Sequence, residues 1–147
     1  MYATKNQFIC IIVGVIFGVA WWIFIDGVWY NQHVSHYSKF YGYETLPGIG
    51  ATIAFVLLNL IDLKYVIWSN NDNGFGDTRL NVSNGFVILI QFWFYLWSAV
   101  LVMCNGGSLW IFIVYYTHSW TGVSMFLQTF FIMVDAYLYL ILRHLFN

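Results

Sequence analysis

Four long apolar segments alternate with polar segments along this chain of 147 residues. A transmembrane helix needs about 20 predominantly apolar residues to cross the ~30 Å hydrocarbon core of a bilayer. The segment between the second and third of them, SNNDNGFGDTRLNVSNG, is rich in Asn, Asp and Gly, which favour turns. The pattern predicts an all-α integral membrane protein with one domain, a four-transmembrane-helix bundle with spans at residues 8–26, 48–68, 84–104 and 121–143.

The region after the third apolar segment allows two interpretations. A single helix from Asn84 to Tyr116 would be about 50 Å long at 1.5 Å per residue, which is longer than one crossing requires. Either this helix extends several turns beyond the bilayer, or Gly106 and Gly107 end it. In the second case residues 108–116 form a separate helix along the membrane interface.

Composition supports a membrane environment and narrows the partners. Hydrophobic residues make up 61% of the chain and charged residues only 7%, whereas soluble domains carry about 25% charged residues. Aromatic residues reach 22%, and Trp and Tyr are enriched at membrane interfaces. The formal net charge of -1 provides no basic face, so nucleic acid is excluded as a partner. Membrane lipids are the expected partners, and structural lipids are expected to bind.

Basic residues are distributed unevenly between the two sides of the predicted bundle. With four spans, Lys5, Lys64, Arg79 and Arg143 lie on the side of both termini, and only Lys39 lies on the other side. Cytoplasmic segments of membrane proteins carry an excess of Lys and Arg. We therefore predict that both termini face the cytosol.

Small residues in the first two spans indicate where helices pack. Gly14 and Gly18 have the G-x-x-x-G spacing that lets a neighbouring backbone approach closely, and Gly50 and Ala54 offer a similar small surface. The alternative is that glycine is simply common in membrane helices. Because the two motifs occupy consecutive spans, we predict a contact between the first and second helices.

Polar residues recur at helical spacing inside the apolar segments. In the third span they are seven residues apart, which is close to two helical turns, so they fall on one stripe. In the fourth span the offsets are four and seven. We call the whole set the polar seam: Asn59, Asn84, Gln91, Ser98, Asn105, Ser124, Gln128 and Asp135.

The polar seam should face protein rather than lipid, because polar groups among acyl chains are costly. One interpretation is that its members pair with one another and hold the helices together. The other is a hydrated path for a small solute or ion. A buried Asp135 would need a donor, for which the candidates are Asn59, Gln91 or a partner subunit.

Motifs of enzyme chemistry are missing from the sequence. It contains no G-x-S-x-G, H-E-x-x-H or phosphate-loop pattern, so we predict a non-enzymatic protein with no catalytic residues. His33, His36 and His118 with Glu44 could be considered as metal ligands. That set is incomplete and its loop is not clearly helical, so we interpret these histidines as solvated or interfacial and predict no metal site.

The run GVAWWIFIDG ends the first apolar segment on a carboxylate. Trp21 and Trp22 fit an interfacial aromatic belt, and Asp26 follows them directly. We interpret Asp26 as the boundary of the first span and a contact to loop residues or to a partner.

These segments resemble the small four-span family of transmembrane protein 50, also called small membrane protein 1, which includes a fungal vacuolar-sorting relative. The first span is similar to the family's glycine, paired-aromatic, isoleucine and terminal-aspartate pattern. The run GIGATIAFVLLN is similar to its G-x-x-A-T-I-A-F run with a later Asn. FGDTR and the fourth-span pattern F-x-Q add weaker matches. The residues that carry the resemblance are Gly14, Trp21, Trp22, Ile23, Ile25, Asp26, Asn59, Phe126 and Gln128.

The resemblance implies an endomembrane protein of the endosome, Golgi or endoplasmic reticulum that acts in endosomal or secretory sorting. It would work through helix–helix contacts with other integral membrane proteins in a hetero-oligomeric complex. An alternative is a lineage-specific accessory subunit of a large respiratory or channel complex, for example in the mitochondrial inner membrane. A small-solute transporter is a third alternative that rests on the polar seam alone.

Overall fold

The structure is a computed structural model that describes residues 2–35, 42–61 and 84–146. Its described elements are all helical, as the apolar pattern predicts. The α-helices are α1 (Tyr2–Tyr30), α2 (Leu46–Asn59), α3 (Asn84–Tyr115) and α4 (Trp120–Phe146). A π-helical turn at Asn31–Ser35 continues α1, and a 3-10 turn at Gly42–Thr45 leads into α2.

The first helix does not end where the sequence predicted. α1 passes through Asp26 and Gly27 and ends at Tyr30, so Asp26 lies within the helix and does not end it. An acidic residue near a helix end interrupts no backbone hydrogen bond, and an isolated glycine costs only about 1 kcal/mol relative to alanine. Neither residue is therefore sufficient to stop a helix that lipid or protein surrounds.

The third helix is continuous through the glycine pair. α3 has 32 residues, which corresponds to about 48 Å at 1.5 Å per residue. Residues 108–115 are its last turns, so a separate interfacial helix over 108–116 is not what forms. Two glycines weaken a helix by about 1 kcal/mol each, and backbone left without hydrogen bonds inside a bilayer costs more.

Three of the described helices are long and apolar enough to cross a membrane: Gln7–Val34, Gly85–Tyr115 and Trp120–Leu145. The described part of α2 has 14 residues, or about 21 Å, which is less than one crossing requires. The remainder of its predicted span, from Asp62 to Trp68, lies outside the described residues. The described residues therefore form an all-helical membrane protein with three candidate spans.

Contacts at the helix ends establish the direction of each helix. Trp120 at the start of α4 bonds to Asp26 near the end of α1, and Tyr116, which directly follows α3, bonds to Glu44 just before α2. At the opposite end, Arg143 of α4 bonds to the last residue of α2, Asn59. Neighbouring ends therefore alternate, and the start of α1 and the end of α4 lie at the same end of the bundle.

The core lies around α4, which packs against α1, α2 and α3. Alanines from three helices let the backbones approach, and larger aliphatic side chains fill the remaining space. The buried core cluster is Ala20, Ala51, Ala54, Leu58, Leu101, Ile132, Ala136 and Leu140. This arrangement follows the general rule that small residues mark helix contacts in membranes.

The predicted contact between the first two helices is formed by aromatic rings and not by their small residues: Phe17 of α1 stacks on Phe55 of α2 with ring centres 5.3 Å apart. A Cβ built on Gly14 or Gly18 meets no described atom within 4 Å, so no described helix approaches closely at either glycine. Gly50 instead approaches α3, where a Cβ would lie 2.8 Å from the Cys104 sulfur. Ala54 is fully buried in the core, and α1 packs mainly on α4. The spacing of small residues identified the surfaces that allow close packing, but it did not identify which helix packs on each surface.

Candidate functional site

Asp135 lies in the middle third of α4, and its side chain is fully buried. Neither of its carboxyl oxygens has a hydrogen-bond partner among the described residues. The predicted donors, Asn59 and Gln91, therefore do not bond to it. Burial of an acidic group without a partner is costly, and acidic residues within membrane helices commonly mark functional positions. Asp135 is the strongest candidate functional residue of the described chain.

The described members of the polar seam are buried or half-buried, and five of them have buried atoms without a described hydrogen-bond partner. Ser124 and Gln128 are buried in α4, and Gln91, Ser98 and Asn105 are half-buried on α3. The side chain of Asn84 lies outside the described residues. Buried nitrogen or oxygen atoms without a described partner occur in Asn59, Ser98, Asn105, Gln128 and Asp135. The interpretation that these atoms bond to one another and so hold the helices together is therefore wrong.

Gln128 lies against the backbone of α2. A Cβ built on Gly48 would lie 2.5 Å from the Gln128 Oε1 atom, so the side chain occupies the space that this glycine leaves. The Nε2 atom of Gln128 is buried and has no described partner. The close approach of α2 to α4 at this point therefore depends on glycine at residue 48, which the sequence interpretation did not single out.

A side-chain hydrogen bond between α3 and α4 joins two residues that are not members of the polar seam. The Ser108 and Thr129 hydroxyl oxygens lie 2.6 Å apart, and both side chains are buried. Each hydroxyl has one hydrogen, so one of the two donates to the other, and the accepting hydroxyl donates to a carbonyl of its own helix, that of Asn105 for Ser108 or that of Phe126 for Thr129. Hydroxyl residues inside apolar segments were the signal that could have found this pair, since they favour contacts between membrane helices.

Trp21, Trp22 and Asp26, which carry the family resemblance in the first span, differ in their surroundings. Trp22 is exposed on the outside of α1, whereas Trp21 is half-buried and contacts Phe24 edge-on with ring centres 5.8 Å apart. Asp26 accepts a hydrogen bond of 2.8 Å from the Trp120 indole nitrogen. The predicted contact of Asp26 is therefore with the first residue of the last helix.

A cluster of contacts next to Asp26 fixes α1 to α4. The Thr121 hydroxyl donates to the Gly27 carbonyl at 3.1 Å, and a Cβ on Gly27 would fall on the Ser124 side chain. Both Thr121 and Ser124 are fully buried. Small residues on both helices thus bring a side-chain hydroxyl of α4 within hydrogen-bonding distance of the α1 backbone.

A second carboxylate is buried at the same end of the bundle. The Tyr116 hydroxyl donates to Glu44 Oε2 at 2.6 Å, and the two side chains are only 3% and 5% exposed. The bond joins the segment before α2 to the residue that follows α3. A short bond to a charged acceptor at a buried position is among the stronger hydrogen bonds in proteins.

The histidines considered as metal ligands have other surroundings. The His33 ring stacks on Trp29 and its Nδ1 atom lies 3.0 Å from the Trp29 carbonyl oxygen. His118 is exposed, and His36 lies outside the described residues. Within the described ranges no three His, Cys, Asp or Glu side chains are grouped closely enough to hold a metal ion.

The geometry as a whole contains two kinds of polar site. Asp26 and Glu44 each accept a hydrogen bond that joins the ends of two helices, so these two sites hold the helices together. Asp135 and the seam atoms near the middle of the helices are buried without described partners. Such atoms can accept or donate bonds to water, to a small solute or to a group that another molecule supplies.

Comparisons with known proteins place the chain in a family. The model of an uncharacterised protein family, UPF0220, matches residues 1–145. The "Transmembrane protein 50 homolog" of Dictyostelium discoideum is 26% identical over 151 aligned residues, covering 94% of this chain and 90% of that relative. No solved structure matches the chain significantly. The resemblance to the transmembrane protein 50 family is thereby confirmed, and this chain belongs to the uncharacterised protein family UPF0220.

Proposed function

We propose that this chain is a non-enzymatic membrane protein that acts in trafficking between endosomal and secretory membranes. It would do so by helix–helix contact with another integral membrane protein in a hetero-oligomeric complex. The trafficking role is supported by the resemblance to a family that includes a vacuolar-sorting relative. The contact role is supported by one surface of α3.

That surface, which we call the outer face of α3, is an exposed stripe in which two small residues lie among large ones. Its members recur every three or four residues and so lie on one side of the helix. The exposed fractions of its large side chains reach 74%. The outer face consists of Phe92, Leu96, Ala99, Met103, Gly106 and Trp110.

The exposure of α3 is what favours a partner at this face. Only 6% of its most apolar stretch is buried within the chain, against 22% for α1 and 39% for α4. A Cβ on Gly106 would meet nothing within 4 Å among the described residues, so another helix has room to approach there. Small residues flanked by large side chains are the surfaces on which membrane helices associate.

Affinity purification of the tagged full chain from cells, followed by mass spectrometry, tests this proposal. We expect a stoichiometric integral membrane partner from endosomal or secretory membranes. Gly106→Leu should reduce its recovery, because the leucine fills the space on the outer face. Gly18→Leu is the matched control, since Gly18 is equally open but lies on α1.

The same experiment separates the alternatives. A stoichiometric respiratory or channel complex as the partner would overturn the trafficking role and support an accessory subunit, for example in the mitochondrial inner membrane. Recovery of the partner with the Gly106→Leu protein at the wild-type level would contradict the outer face as the contact surface.

A second candidate function is a hydrated path for a small solute or ion, which the unpartnered atoms of Asp135 and Gln128 favour. Water or a solute would supply the bonds that these atoms lack within the described residues. Flux measured in vesicles reconstituted with the purified chain tests this candidate. Equal flux through wild-type protein and a variant with Asp135→Leu and Gln128→Leu would exclude it.

We further propose that α2 continues to about Trp68 and forms a fourth span, with both termini in the cytosol. The alternating helix ends support this, because α2 starts where α3 ends. Cysteine labelling from each side of the membrane, in a chain without Cys10 and Cys104, tests it. Thr4→Cys should be labelled from the cytosol and Thr117→Cys from the opposite side. Labelling of both from one side would contradict the topology.

A further inference from the structure

We propose that a groove between α1, α2 and α4 binds one anionic glycerophospholipid, with an acyl chain in the groove and the phosphate at Arg143. The groove has a volume of about 360 Å³ and is lined mainly by apolar side chains. That volume falls in the range of roughly 300–1,000 Å³ in which proteins hold small molecules. This inference does not depend on the outer face of α3 or on the trafficking role.

The walls of the groove are suited to an acyl chain. Val13 and Phe17 of α1 face Phe55 and Val56 of α2, and Gly14 leaves the space between the helices open. From Cys10 to Phe17 the groove follows α1 for about 10 Å at 1.5 Å per residue. The rings of Phe17 and Phe55 stack with centres 5.3 Å apart, so they close its inner end.

Polar groups lie toward the other end of the groove. The side-chain amide of Asn59 lines it, and both of its polar atoms are buried without a described partner. Its Nδ2 group can donate to a carbonyl oxygen of a glycerol ester. Tyr139 also lines the groove and lies one helical turn before Arg143 on α4. An amphiphile with an ester between its chain and its headgroup matches this order of groups.

The charge at the groove mouth favours an anionic headgroup. Arg143 donates one hydrogen bond to the Asn59 backbone carbonyl at 3.2 Å, which leaves further guanidinium donors for phosphate oxygens. His144 follows it and is exposed. Of the described carboxylates, Asp26 and Glu44 lie at the opposite end of the bundle, and Asp135 lies two turns further inside α4.

Two matched substitutions test the acyl-chain site. Gly14→Leu should fill part of the groove from a Cβ that has no described atom within 4 Å, whereas Gly18→Leu adds the same side chain to the same helix outside the groove. The purified full chain is titrated with dioleoyl-phosphatidylserine or dioleoyl-phosphatidylcholine, and bound lipid is counted by native mass spectrometry. We expect one retained phosphatidylserine in wild-type and Gly18→Leu protein, and about tenfold weaker retention in Gly14→Leu protein, which corresponds to roughly 1.4 kcal/mol.

Arg143→Gln tests the headgroup contact separately. Lipid should still bind to this variant, but the preference for phosphatidylserine over phosphatidylcholine should disappear. Equal retention in the Gly14→Leu and Gly18→Leu proteins would overturn the site, as would equal binding of both lipids by the wild-type chain. An acyl group attached to Cys10, or a second copy of the chain released by Gly14→Leu, would show a different occupant and would also overturn it. Melting curves of each variant establish that it is folded.

Discussion

The Trp120 indole nitrogen donates to the Asp26 carboxylate across 2.8 Å, and this bond joins the end of α1 to the start of α4. A second bond at the same end, from Tyr116 to Glu44, joins the end of α3 to the segment before α2. The first pair is exposed and the second is buried. Two hydrogen bonds to carboxylates therefore connect the four helices at one end of the bundle. They are similar in length, but one is exposed and the other is buried.

The two bonds should differ in their effect on stability. Tyr116→Phe removes only the hydroxyl and takes one bond from a buried carboxylate, which typically costs about 1–3 kcal/mol. Trp120→Phe also removes the donor to Asp26, but water can replace it at this exposed position, so we expect less than about 1 kcal/mol. Thermal unfolding in detergent measures both. A larger loss for Trp120→Phe would contradict this order.

Gly27 should be the glycine of α1 that tolerates a side chain least. The Cβ of Gly27→Ala would fall on the Ser124 side chain, so the two helices must separate. Overpacking of this kind typically costs about 1–3 kcal/mol. The measurement is the unfolding midpoint of the purified chain.

Two further variants make the Gly27 prediction specific. Gly18→Ala is the control, because its Cβ meets open space and alanine favours a helix by up to about 1 kcal/mol over glycine. Ser124→Gly should restore part of the stability of Gly27→Ala, since it removes the clashing group. Equal effects of the two alanine substitutions would argue against the close approach of α1 and α4.

The long helices α1, α3 and α4 were predictable from the sequence because long apolar segments form helices in a membrane, but the ends of α1 and α3 were not. The partner of each helix was not predictable. Gly14 and Gly18 have the spacing of a packing motif, yet the glycine of α1 that meets another helix closely is Gly27, which lies just beyond the predicted end of the first span. A small residue shows that an approach is possible, and only the positions of the other helices determine which approach is used.

The candidate site was partly predictable for the same reason. The offsets of Ser124, Gln128 and Asp135 indicated one buried face, and all three are buried. Their bonding could not be derived from spacing, because it depends on the depth and rotation of facing helices. Ser108 and Thr129 are bonded, although Ser98 had the more regular position.

A double-mutant cycle on Ser108 and Thr129 should show that their bond couples α3 to α4. Hydrogen bonds between membrane helices contribute roughly 0.6 kcal/mol on average and up to about 1.7 kcal/mol, and this one is buried and 2.6 Å long. Ser108→Ala and Thr129→Val should each destabilise the chain, and the double variant should lose less than their sum. Ser98→Ala is the control and should cost nothing, because its hydroxyl has no described partner to lose. Strict additivity of the first two would contradict the coupling.

Asp135 should contribute nothing favourable to the stability of the isolated chain. Its oxygens lack described partners, so Asp135→Leu removes a buried polar group and replaces it with an apolar side chain of the same branched shape. We expect an unchanged or higher unfolding temperature in detergent, and Asp135→Asn should remain near the wild type because an unpartnered polar group stays in place. A marked loss of stability in Asp135→Leu would show that the carboxyl is bonded in the folded chain.

Since Asp135 lies inside the bundle and the outer face of α3 does not include it, recovery of the membrane partner should also be unaffected. A buried carboxyl at mid-helix that adds no stability is expected where it acts on water or a solute, so loss of solute flux in the stable Asp135→Leu protein would favour the hydrated path.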